Sequence, residues 1–269
     1  MLTCLAVCGA GNASAGADSA GMLSFGGVDR TYQVPVPAGR DHPAGLVLNL
    51  HGAGMTGAQQ AAATGYDAIA DQYGFVVAYP DGIDMSWADG RGASVPDRQG
   101  VDDVGFLVAL VDKLSHDYGI PPGRVFATGM SAGAFMANRL ACDRADVFSA
   151  IAPVSGTLGA TTKCTPSQPV SVLEMHGTAD PVVPFDGGGM IGRGGQSNIE
   201  PALDMANGWR NVDACGPPVE DVAGNTHRFS AAGCAGGTEV VLVRIDGGGH
   251  VWPPDASAAS GQFFATHGR

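Results

Sequence analysis

Short β-rich runs alternate with segments of helical pattern through most of this 269-residue chain: GLVLNL at residues 45–50, FVVAY at 75–79, VFAT at 125–128, AIAPV at 150–154, VSVLEM at 170–175 and VVLVRI at 240–245. That alternation predicts an α/β fold, with a mostly parallel central sheet and helices on both faces. The clearest helix is expected over residues 102–118, where Val104, Leu107, Val108, Val111 and Leu114 recur at helical spacing. Asp102 and Asp103 stand where a cap belongs, Gly119 ends the pattern, and Pro121-Pro122 blocks its continuation. Two glycine-rich stretches, 186–195 and 231–237, read as surface loops. With no internal repeat and no linker, residues 18–269 are expected to form one domain.

Charge and leader narrow the class. A net charge of −12 and a pI near 4.7 disfavour nucleic acid and anionic membrane as partners, and suit a neutral substrate. Residues 1–17 read as a signal peptide: 1–10 are apolar, and Asn12-Ala13-Ser14-Ala15 offers the small residues a peptidase needs. No Lys or Arg precedes the apolar stretch, as in a chain trimmed at its start, and Val7 makes Cys8 a poor lipoprotein site. Export is therefore expected, with no membrane span and a monomeric product. Cys142, Cys164, Cys215 and Cys234 remain outside the leader. In an exported protein an even set favours disulfides; of three connectivities, Cys142–Cys164 with Cys215–Cys234 is preferred, four buried thiols being the alternative. No Cys or His spacing suggests a metal site.

Gly129-Met130-Ser131-Ala132-Gly133 matches G-x-S-x-G between an expected strand and an expected helix. There the glycines permit a turn sharp enough to project Ser131, and the helix N-terminus favours developing negative charge. A bland glycine turn capped by serine lacks that context. Serine needs a base and an orienting acid. Asp180, on a proline-bounded turn after the 170–175 strand, is preferred as the acid over Asp186. His250, in a glycine run after the last strand, is the base. His116 falls on the solvent side of a helix, His227 in a polar loop and His267 in the tail, whereas His51 and His176 end strands and suit structural hydrogen bonds. For the oxyanion, the amide of Ala132 is expected with that of Ala53, chosen over Gly54, in the loop His51-Gly52-Ala53-Gly54. Trp87 and Trp252 are expected around the substrate as exposed indoles, core packing being the alternative.

Six motifs in order carry a resemblance: Tyr79-Pro80-Asp81-Gly82, Ser86-Trp87-Ala88-Asp89-Gly90-Arg91, Val101-Asp102-Asp103-Val104-Gly105-Phe106, Thr128-Gly129-Met130-Ser131-Ala132-Gly133, His176-Gly177-Thr178-Ala179-Asp180 and Gly248-Gly249-His250-Val251-Trp252-Pro253. Together they resemble the secreted esterases that group polyhydroxybutyrate depolymerase-like proteins with the feruloyl and acetylxylan esterases of carbohydrate esterase family 1. The resemblance implies an α/β-hydrolase fold, a triad of Ser131, Asp180 and His250, and no cofactor. It leaves feruloyl, acetylxylan, polyhydroxybutyrate and terephthalate polyesters as candidate substrates. Small or partly accessible esters are favoured, since no polymer-binding module is seen in this sequence. A peptidase of the same fold and a non-catalytic binding protein are the rival classes.

Overall fold

All six residues of the strand Gly45–Leu50 are buried, and their side chains divide by parity: Leu46, Leu48 and Leu50 enter one core and Val47 another. In the strand Val125–Met130, Val125 and Ala127 join the first core and Phe126 the second. A period of two with both faces covered produces an unbroken apolar run, which is why these strands are plain in the sequence.

The computed structural model describes residues 18–35 and 42–269; the expected signal peptide, with Cys4 and Cys8, lies outside them. In chain order the strands are β1 (Asp18–Phe25), β2 (Val28–Pro35), β3 (Gly45–Leu50), β4 (Phe75–Pro80), β5 (Val125–Met130), β6 (Ala150–Val154), β7 (Ser171–Gly177), β8 (Gly188–Gly192), β9 (Gly195–Ile199), β10 (Val219–Ala223), β11 (Thr226–Ala231) and β12 (Val240–Ile245). The helices are α1 (Gly57–Thr64), α2 (Tyr66–Tyr73), α3 (Val95–Gln99), α4 (Asp103–Tyr118), α5 (Ala132–Asp143), α6 (Ala202–Val212) and α7 (Ala256–Thr266). One sheet runs in the order β1-β2-β4-β3-β5-β6-β7-β12-β11-β10. Its centre, from β4 to β12, is parallel, and the outer pairs on both sides are antiparallel.

Helices α4, α5 and α6 cover the first core with Phe106, Leu110, Met136, Leu140, Met205 and Trp209. On the other face α2 and α7 contribute Tyr66, Ala70, Phe263 and Phe264, the last stacked on Phe126 with centroids 4.8 Å apart. The expected α/β architecture is therefore present. Both disulfides join the neighbours preferred from sequence, Cys142 with Cys164 and Cys215 with Cys234.

Several expectations are corrected. Residues 186–195 are not a loop: β8 and β9 form a hairpin, held through Met190 and Ile199 against Phe135 and Val183. Its five glycines hid the alternation. His227 lies on β11, where it meets Glu220 at 2.7 Å and Asp246 at 3.3 Å, rather than in a loop. His267 packs its ring 4.2 Å from Phe263 and reaches Glu239 at 3.3 Å, so it fastens the tail. Strands β2 and β10 carry no continuous apolar run, β10 being exposed throughout, and gave no signal.

Only one of the two expected capping aspartates caps. Asp102 accepts from the Gly105 amide at 2.7 Å. Asp103 is buried instead, pairing with Arg30 of β2 at 2.7 Å and accepting from the Ala88 amide at 2.7 Å. Burial pushes the Asp103 carboxyl upward, against the Ala88 amide and Arg30, which pull it down. Arg30 also lies 4.0 Å over the Phe106 ring. This pair ties β2, the 86–91 segment and α4 together. Asp103→Ala leaves a buried, unpaired guanidinium and should cost about 3–5 kcal/mol, read from urea unfolding.

Candidate active site

Strand β5 ends at Met130 and α5 begins at Ala132, so Ser131 makes the turn alone, at φ 56° and ψ −118°. A positive φ is uncommon outside glycine and costs on the order of 1–3 kcal/mol unless its surroundings impose it. Here they do. The Ser131 amide donates to Val154 O of β6 at 3.0 Å, and its carbonyl accepts from Ala134 and Phe135. A Cβ placed on Gly129 would stand 2.6 Å from Leu50 O, and one on Gly133 only 2.1 Å from that same oxygen. Both motif glycines are thus demanded by the last carbonyl of β3. Gly133→Ala should destabilise by about 1–3 kcal/mol through overpacking and lower esterase turnover, as measured by urea midpoint and initial rate.

The loop after β3 is fixed by a buried histidine. His51 Nε2 accepts from the Gly82 amide at 2.9 Å, so the ring proton sits on Nδ1 and is donated to Gly52 O at 2.9 Å. Burial lowers the His51 pKa and keeps the ring neutral, as this pattern requires. The Gly54 amide is engaged by Met85 O at 2.8 Å and the Met55 amide by Gly52 O at 3.1 Å. Among the described residues, the Ala53 and Ala132 amides have no protein acceptor. They line the same cleft as Ser131.

Trp87 is not the exposed indole expected. It is fully buried, lies tilted against the His51 ring with centroids 4.7 Å apart, and donates from Nε1 to His51 O at 2.9 Å. A buried indole N–H needs an acceptor, and the carbonyl at the start of the loop supplies it. Trp87 therefore braces the loop from below. Trp252 is half-buried against the second core and donates to Ser257 Oγ at 3.0 Å, away from the cleft. Neither tryptophan is among the residues that line the cleft.

Asp180, of the two acids weighed, is the one on His250: Nδ1 lies 2.8 Å from Oδ2. The other oxygen accepts from the Val182 and Val183 amides, each at 2.8 Å. Burial raises the Asp180 pKa, but His250 and the two amides outweigh it and hold the carboxyl below its ordinary value. An ionised Asp180 only accepts, so His250 carries its proton on Nδ1 and leaves Nε2 free as a base.

Beneath Asp180 stands a pair that sequence reasoning did not single out as a unit. His176 Nε2 donates to Val183 O at 2.9 Å, its Nδ1 lies 3.0 Å from Glu174 Oε1, and both side chains are buried. One shared proton must occupy that contact. Burial pushes Glu174 up to about 7. Burial also opposes a charge on His176, but Glu174 outweighs this and raises the imidazole. With both values raised, the pair's contribution to stability is complete below the ordinary pKa values and is lost as pH rises through the folded ones. The urea midpoint should therefore fall as pH rises from the ordinary carboxyl range through about 7. Glu174→Gln, whose amide donates to Nδ1 without a titrating proton, should flatten that slope.

Ser131 and His250 line one cleft of about 230 Å³, whose wall includes Val182, Met190, Arg91 and Arg193. Met190 and Arg193 belong to the β8–β9 hairpin and its turn. Among the described residues, no cluster of His, Cys, Asp and Glu is arranged to hold a metal ion.

A parallel sheet covered on both faces, with a serine elbow at the carboxyl end of β5, defines an α/β-hydrolase. Residues 31–191 match the family model described as esterase PHB depolymerase. Feruloyl esterase C of Emericella nidulans is 30% identical over 230 residues, 81% of this chain and 76% of that protein. Feruloyl esterase B of Piromyces equi is 30% identical over 82% of this chain and 42% of its own length. Acetyl xylan esterase from Aspergillus awamori shares the fold, with a TM-score of 0.68 over 91% of this chain and 98% of that one at 17% identity. The chain belongs to the esterase PHB depolymerase family and is a carboxylic-ester hydrolase.

Proposed function

We propose that Ser131, His250 and Asp180 form the catalytic triad of a serine esterase that hydrolyses short-chain or aryl esters, feruloyl esters among them. The observation that carries this is the 2.8 Å contact of His250 with Asp180, on a ring that shares the cleft with the elbow serine. His250 Nε2 takes the Ser131 proton as Oγ attacks the ester carbonyl, and returns it to the leaving alcohol. The tetrahedral oxyanion is held by the Ala132 and Ala53 amides. Water then attacks the acyl-serine with the same base, releasing the acid. Asp180 keeps the proton on Nδ1 and stabilises the imidazolium.

The size of the cleft supports a single small acyl unit over a polymer chain, since about 230 Å³ is below the ~300 Å³ at which pockets for drug-sized ligands begin. Relatives named as feruloyl esterases favour an aryl acyl group over acetyl or hydroxyalkanoate. Two disulfides support export to an oxidising compartment, with residues 18–269 as the catalytic domain. No helix among the described residues is long and apolar enough to cross a membrane.

Ser131→Ala should lower kcat/KM on a 4-nitrophenyl ester by about 10⁴-fold or more while the urea midpoint stays put. A fluorophosphonate should label the wild type and not the variant. Undiminished turnover in the variant would overturn the triad; absence of labelling would favour the non-catalytic rival.

A further inference from the structure

Two guanidinium groups reach the cleft, and they are held very differently. Arg91 is almost buried and spent: Nε and Nη2 grip Asp89 at 2.9 and 2.6 Å, and the group lies 3.8 Å over the Phe135 ring. Arg193 is 40% exposed, and its nearest anion is Asp84, at 3.8 Å and itself 45% exposed. At that distance no short hydrogen bond forms and the ion pair is weak. Arg193 thus lines the cleft as a cation with capacity to spare.

Its position is set by a rigid support. Arg193 and Gly194 form the two-residue turn of the hairpin, between Gly192 and Gly195 of the paired strands. Gly194 packs so closely that a Cβ there would stand 2.4 Å from Ala93 O. Arg98 locks the same point by donating to both Ala93 O and Gly194 O. From this anchored tip the guanidinium lies over the oxyanion-side loop, with Nη1 3.6 Å from where a Gly54 Cβ would be. A chain of net charge −12 repels an anion at a distance. A cation free to bind inside the cleft is therefore the local feature able to reverse that.

We propose that Arg193 recognises a carboxylate on the substrate, so that esters bearing a free carboxyl group, such as dicarboxylic monoesters, are preferred over neutral ones. The assignment rests on the serine-esterase reading above and adds the charge of its substrate. It also revises the neutral substrate expected from net charge. Guanidinium and carboxylate meet as a planar, two-pronged pair. Asp84 acts as the competitor, holding Arg193 loosely until the substrate carboxylate displaces it.

Two matched pairs locate the carboxylate: mono-4-nitrophenyl adipate against 4-nitrophenyl hexanoate for the acyl side, and 4-carboxyphenyl butyrate against its methyl-ester counterpart for the alcohol side. The readout is the ratio of kcat/KM within each pair, which cancels general losses. Arg193→Gln should lower that ratio about five- to tenfold in one pair. Asp84→Asn should raise it about two- to threefold; Asn tolerates the φ of 52° at this position, so the turn is kept. Ratios unmoved by both substitutions in both pairs would overturn the role of Arg193 alone. Failure of the wild type to hydrolyse all four esters would overturn the esterase reading, and this proposal with it.

Discussion

The carbonyl of Leu50 at the end of β3 is the point on which the active-site architecture closes. Gly129 and Gly133 both pack against that oxygen, at distances no Cβ could share. The approach brings the first turn of α5 onto the end of β3 and leaves Ser131 in a positive-φ turn that its neighbours enforce. One residue further along β3's exit, His51 begins the loop whose Ala53 amide lies in the same cleft. Ser131 and the start of the Ala53 loop are thus brought together at a single backbone contact. A looser approach would separate them.

Around that contact the molecule supports its reactive groups from behind. Neutral His51, with its ring wedged between Gly82 and Gly52, and Trp87, with its indole under the His51 carbonyl, hold the loop. The Glu174–His176 pair does the same for the acid by grasping Val183, whose amide in turn binds Asp180. Buried polar groups of this kind are costly when unmatched and specific when satisfied. This accounts for the concentration of histidine, aspartate and tryptophan at the carboxyl edge of a sheet that is otherwise apolar.

Several of the sequence motifs have a physical content that the structure makes plain. In Tyr79-Pro80-Asp81-Gly82, Asp81 accepts from the Gly57 amide and Thr31 hydroxyl, and a Cβ on Gly82 would strike Ser86 O at 2.0 Å. In the segment with Trp87, Asp89 and Arg91 form a buried ion pair against the β8–β9 hairpin, Arg91 reaching Met190 Sδ at 3.4 Å. Paired aspartates 102 and 103 divide between a cap and a core ion pair. Adjacent residues on a helix terminus point in different directions, so one faces the helix's free amides and the other the core.

The sequence by itself determined the central sheet and the order of the chemistry-bearing residues along it, while the disulfide partners, only a preference among three connectivities, were decided by the fold. It could do so because strands buried on both faces are written as continuous apolar runs, and because the elbow, the acid turn and the glycine-histidine loop each follow a strand directly. Hairpins β1–β2, β8–β9 and β10–β11 escaped for separate reasons: β2 alternates in burial but places the charged Arg30 among its inward residues, glycines mask the alternation of β8–β9, and β10 is exposed throughout. Which face a side chain takes was decided only in the tertiary structure. Trp87 and Trp252 look equally available in a string of letters, yet both are held inward by indole N–H bonds to His51 O and Ser257 Oγ. Conversely Arg193, unremarkable in a glycine-rich stretch, enters the cleft because Gly194 and Arg98 dock its turn there. Burial and long-range hydrogen bonds join residues far apart in the chain, and no local pattern encodes them.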